Sequence, residues 1–67
     1  MYDNRVIYLY KNVVFFVRAT KDYAYLFTNQ NEYIGGANNN FADIQTLADW
    51  YLDLENGIQR PKPITIY

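Results

Sequence analysis

Between Phe41 and Gly57 the chain reads FADIQTLADWYLDLENG, the one segment with an unbroken helical repeat and a signal at each end. It predicts a single helix. Residues placed about 100° apart put Ile44, Leu47, Ala48, Tyr51 and Leu54 on one side, with Trp50 and Leu52 at its margins and Gln45, Asp49 and Asp53 opposite. Asp43 is the expected N-cap, its carboxylate accepting free backbone N–H groups, and Asn56-Gly57 the expected left-handed stop. A helix of this length is marginal alone, so its apolar side must be covered by the rest of the chain.

What covers it is a run of strands. After a polar lead-in, Met1 to Arg5, Val6 to Tyr10 (VIYLY) is β-branched and aromatic throughout, and Val13 to Thr20 (VVFFVRAT) is the most hydrophobic run in the chain and the expected central strand. Lys11-Asn12 between them reads as a two-residue hairpin turn. Lys21-Asp22 makes a second tight connection to Tyr23 to Thr28 (YAYLFT). Asn29-Gln30-Asn31 then turns into a short fourth strand, Glu32 to Gly35, and Gly36 to Asn40 reads as a loop. Two prolines in Gln59-Arg60-Pro61-Lys62-Pro63 exclude helix or central strand, and Ile64 to Tyr67 is a candidate edge strand. The expected fold is α+β: a three- or four-stranded antiparallel meander, one domain, with one helix packed on one face.

Two-residue turns set the register, and the register sorts the side chains. Val6, Tyr8, Val13, Phe15, Val17, Ala19, Ala24 and Leu26 share one face. Ile7, Leu9, Val14, Phe16, Arg18, Tyr25 and Phe27 share the other. The first set carries no charge and is the expected seat of Leu47, Tyr51 and Leu54. The second is left facing outward, an apolar patch of several hundred Å², the order of size that marks binding sites on soluble proteins. Its alternative is cover by the chain itself, from the lead-in or from Pro61 to Tyr67.

Composition narrows the chemistry. The 67 residues contain no cysteine, histidine or serine, which removes disulfides, thiolate and imidazole metal ligands, the usual near-neutral general base and two common nucleophiles. An enzyme is not expected, nor a cofactor or metal. Net charge is −1, a balance that argues against nucleic acid as the main partner, and no run is long and apolar enough to suggest a membrane or a secretory leader, leaving the cytoplasm as the default location. The charges are unevenly spread: residues 43 to 55 hold Asp43, Asp49, Asp53 and Glu55 and no base. Asp49 and Asp53, one turn apart, form a candidate acidic contact face, or simply a solvated one. Trp50 reads as a core-edge residue or an exposed anchor. Aromatics make up 19% of the chain, mostly Tyr, which suits interfaces as well as cores.

Two stretches resemble the Src-homology-2 domain. Phe15-Phe16-Val17-Arg18-Ala19-Thr20 is similar to that family's FLVR-type central strand, and Tyr33-Ile34, Phe41-Ala42-Asp43-Ile44, Leu47, Tyr51 and Asn56-Gly57-Ile58 look like its last strand, second helix and following loop. The resemblance implies a phosphotyrosine ligand at Arg18, with Thr20 and Lys21 as neighbours. It departs where a hairpin stands in place of the family's first helix, and where no room remains between Thr28 and Glu32 for the strand that brings a phosphate-binding His.

The leading expectation is therefore a non-catalytic protein-binding domain of inhibitor or adaptor type, of the kind often encoded by phages, working through a protein partner or a second copy of itself at Ile7, Leu9, Val14, Phe16, Arg18, Tyr25 and Phe27. A reduced phosphotyrosine-peptide module built on Arg18 comes second. Third is a single-strand nucleic-acid binder using Arg5, Lys11, Arg18 and Lys21 with Tyr23 and Tyr25.

Overall fold

The computed structural model of the chain describes residues 5–64. Four strands, β1 (Val6–Tyr10), β2 (Val13–Ala19), β3 (Tyr23–Thr28) and β4 (Tyr33–Asn38), are followed by the helix α1 (Phe41–Glu55). The strands form one antiparallel sheet in the order β1-β2-β3-β4, with the helix packed on one face, an α+β fold.

The turns account for the register. Lys11 (φ 50°) and Asn12 (φ 64°) both occupy the left-handed region, the geometry of a two-residue hairpin whose twist matches that of its strands, and Tyr10 pairs with Val13 across it. At the next turn Thr20 Oγ accepts from the Tyr23 N–H (3.0 Å). At the third, the buried Thr28 hydroxyl accepts from the N–H groups of Gln30 and Glu32. Each hydroxyl satisfies turn donors that would otherwise lack partners.

The side chains divide between faces as the alternation predicts. Phe15, Val17, Ala24 and Leu26 are buried beneath α1 with Ile34, Ala37, Leu47 and Ala48. The helix lies over β3 and β4, and the reason is side-chain size. Ala24, Gly35 and Ala37 leave the sheet thin there, and a Cβ built on Gly35 would stand 3.1 Å from Leu47 Cδ2. Toward β1 the gap widens and rings fill it: Phe41 meets Tyr8 edge-on, and Tyr51 meets Phe15 edge-on at 6.0 Å. Val6, expected under the helix, is consequently left 61% exposed, and Leu54 lies past the end of the seat and is exposed as well.

Fourth-strand and helix boundaries differ from expectation. β4 runs from Tyr33 through Gly35-Gly36 to Asn38, so part of the expected loop is strand. A bulge opposite Leu26 and Phe27 lets Ile34 and Gly35 both face the core, while Tyr33 returns to the other side beside Phe27. The N-cap is Asn40 rather than Asp43. Asn40 Oδ1 accepts the Asp43 N–H (2.8 Å), and the Asp43 carboxylate accepts back from the amides of Asn40 and Asn38. Asn39 ties the same corner to the β2–β3 turn, donating from its side chain to the Thr20 carbonyl at 2.7 Å. At the other end Gly57 (φ 85°) makes the expected stop: its N–H donates to the Leu54 carbonyl and that of Ile58 to Asp53, the paired bonds of a Schellman motif.

After the stop the chain turns back along the helix. Trp50 Nε1 donates to the Arg60 carbonyl (3.0 Å), Arg60 pairs with Asp53, and Ile64 packs against the core. Ile64, at φ 42°, is not extended, and the rest of the candidate C-terminal strand, like the first four residues of the lead-in, lies outside the described residues.

Two substitutions test this account by urea unfolding. Gly57→Ala, which puts a Cβ into a left-handed site, is expected to cost about 1 kcal/mol. Tyr8→Phe is expected to stabilise by up to about 1 kcal/mol, because the buried Tyr8 hydroxyl has no hydrogen-bond partner among the described residues and gives up hydration for nothing.

Candidate partner-binding surface

The face of the sheet turned away from α1 carries every residue expected there. Ile7 pairs with Phe16 and Phe16 with Phe27; Leu9 pairs with Val14; Arg18 pairs with Tyr25. These pairs form transverse rows, so the seven side chains are brought together as one continuous surface. Ile7 is 68% and Leu9 63% exposed, Val14 and Arg18 are exposed, and Phe16, Tyr25 and Phe27 are half-buried.

Three contacts shape this open face. Phe27 and Tyr33 pack with ring centroids 5.5 Å apart, extending the apolar strip across the bulge to β4. Tyr25 lies over Gly36, where a Cβ would meet its ring at 3.2 Å, so an aromatic substitutes for the side chain the glycine lacks. The Arg5 guanidinium stands 5.7 Å from the Phe16 ring centroid, within cation–π range. The described part of the tail does not roof this surface. It runs beside the helix, with Lys62 over Trp50 and Tyr33 and against Gly35 at the β4 side.

The acidic helix side is not the unpaired stripe that Asp49 and Asp53 suggest in the sequence. Asp49 accepts from Lys11 Nζ at 2.8 Å and from the Tyr10 hydroxyl at 3.3 Å, and Asp53 pairs with Arg60. Hydrogen bonding to Lys11, against the opposing effect of desolvation, holds the Asp49 carboxyl below its ordinary value of 3.8, and the same bond lifts the Lys11 ammonium above 10.5. Both acids are thus tied to cations of their own chain, one from the β1–β2 turn and one from the tail. Asp43 is taken up by the cap.

Trp50 is where sequence reading stops short. It is a half-buried clamp on the tail, flanked by two open grooves: one of about 360 Å³ lined by Gln45, Thr46, Asp49, Arg60, Pro61 and Pro63, the other of about 400 Å³ between β4 and the helix. The proline pair after a helix stop is the signal for a tail that reverses. Thr20, named as a phosphate neighbour of Arg18, is committed to its turn. Among the described residues no three acidic side chains converge as a metal site would need, and no helix is long and apolar enough to cross a membrane. Comparison of the chain with protein-family models, with curated proteins and with solved structures finds no match.

The Asp49–Lys11 pair gives a signed pH dependence. A depressed carboxyl stabilises the fold above its ordinary value and loses that contribution as pH falls through the lowered one; a raised ammonium stabilises below 10.5 and loses it as pH rises further. Asp49→Asn is expected to flatten the fall of the urea midpoint between about pH 5 and about pH 2. An acid limb as steep as that of the parent chain would deny the pair this role.

Proposed function

We propose that this chain is a non-catalytic protein-binding domain of inhibitor or adaptor type, and that its contact surface is the open face of the sheet. One observation carries the proposal: Ile7, Leu9, Val14, Phe16 and Phe27 form a contiguous apolar surface that ends at Tyr33, where Lys62 reaches over the ring, and no described strand or helix lies over those five. Leaving two aliphatic side chains about two-thirds exposed side by side on a strand forfeits roughly 1.5–3 kcal/mol for each that burial would have returned, and an apolar strip of this kind on a small domain is the signature of a surface that is covered when in use.

The composition of the strip supports the same use. Its centre is the cross-strand Phe16–Phe27 pair, with Leu9 and Val14 in the row to one side and the Arg18–Tyr25 pair in the row to the other. Aromatic centre and Arg rim are what high-affinity protein contacts are built from. The residues available for acid–base work point the other way from catalysis, since Asp49 and Asp53 are held by Lys11 and Arg60.

Capture by the immobilised chain, followed by identification of what is bound, tests the proposal. Leu9→Asp and Phe16→Asp are each expected to weaken capture at least about tenfold, as loss of a central contact does. The unfolding free energy of the Leu9→Asp variant should fall by no more than about 1 kcal/mol, since that site is exposed. If both variants capture as the parent does, the binding surface is elsewhere.

A further inference from the structure

The returning tail is held on Trp50 in the manner of a bound peptide. The indole N–H donates to the Arg60 carbonyl at 3.0 Å, and the Lys62 ammonium stands 5.6 Å from the Trp50 ring centroid and 5.9 Å from that of Tyr33. Pro61 and Pro63 line the groove beside Trp50, opposite Gln45 and Thr46. Three residues further along α1, Asp53 pairs with the Arg60 guanidinium. Gly35 admits the Lys62 stem, since a Cβ there would stand 3.0 Å from Lys62 Cε. A carbonyl, a guanidinium, an ammonium and two proline rings of the tail are each met by a group of matching chemistry.

The segment so held has its shape set in advance. Each proline fixes its own φ and keeps the residue before it out of the helical region, so Arg60 to Pro63 is extended before it docks and loses little entropy in docking. An aromatic groove whose indole N–H takes the carbonyl ahead of a proline is a recurring means of recognising proline-rich segments. Charge favours a basic one: Asp53 takes Arg60, and α1 contains no Lys or Arg to oppose a second cation at Lys62. We infer that this seat on α1 recognises extended Arg-Pro-Lys-Pro segments, that the chain's own tail is its resident ligand, and that a partner protein carrying the same basic proline pattern takes the tail's place. The short tether gives the tail an effective concentration on the order of mM, against which the partner's segment must compete. The seat lies on the helix side of the sheet, away from the open face, and the inference does not depend on that face.

Trp50 is the one tryptophan of the chain, so its indole N–H gives a single NMR resonance whose exchange with solvent reports on the seat. In the full chain that exchange should be slow and independent of protein concentration. The double variant Arg60→Glu, Lys62→Glu should speed it several-fold while the sheet amides stay protected, and adding Asp53→Arg should slow it again by restoring an opposite-charge pair. The peptide Gln-Arg-Pro-Lys-Pro-Ile, titrated into the double variant, should restore slow exchange and bind roughly tenfold tighter than the same peptide with alanine for both prolines or glutamate for both bases. It should bind the parent chain more weakly, because the tail competes. Should the double variant lose its sheet protection, Arg60→Glu alone serves for the same comparison. Indole exchange unchanged in the loosened chain, no binding of the peptide to it, or equal affinity for the three peptides overturns the inference. So does slow exchange in the parent chain that fades on dilution, which would put a second copy's tail in the seat.

Discussion

The close seating of Leu47 and Ala48 on the small-residue side of the sheet is the contact on which the rest of the structure depends. Because Ala24, Gly35 and Ala37 project so little, the helix axis comes near to β3 and β4, and Leu47 reaches van der Waals contact with the strand backbone. The other half of the sheet is then held farther from the helix, and rings fill the wedge: Tyr8, Phe15 and Tyr51, with Phe41 as its outer wall. One helix seated off-centre leaves β1 half covered on one side and bare on the other. Exposure of Val6 follows from that off-centre seat, whereas Ile7 and Leu9 are exposed because they lie on the face turned away from the helix.

Charge is sorted by the same arrangement. Lys11 and Arg60 come from the two segments that flank the helix, the first hairpin turn and the returning tail, and each meets an Asp on the helix side. Exposed pairs of this kind contribute little to stability. Their larger effect is on what the surface offers: acid is offset on the helix side, while the described strand positions of the open face hold Arg18 and no carboxylate.

Much of this was legible in the sequence because its strongest determinants are local. Lys11-Asn12 and Lys21-Asp22 set the hairpin registers, and alternation then assigned Phe15 and Leu26 to the core and Ile7, Leu9, Phe16 and Phe27 to the open face. Where expectation and structure part, a local signal had two meanings. Asp43 is a good cap by type, but Asn40 three residues earlier caps the helix and Asp43 serves as its reciprocal partner. Gly35-Gly36 and the Asn run have loop composition, yet Tyr25 packs over one glycine and Leu47 over the other, which makes strand conformation affordable there. Least legible were contacts between distant segments: Asp49 with Lys11, and Trp50 with Arg60 once the chain reverses at Gly57. No periodicity announces them, since each depends on where the helix lands.

The strand order carries a consequence for kinetics. Every strand pairs with its immediate successor, and each pairing closes across a short turn, so no step in assembly has to close a long loop before contacts form. Chains with such nearest-neighbour wiring reach the native state quickly for β-rich proteins, and they regain it readily after being pulled open. Assembly one adjacent ribbon at a time also shortens the interval in which an uncovered greasy strand can find a wrong companion.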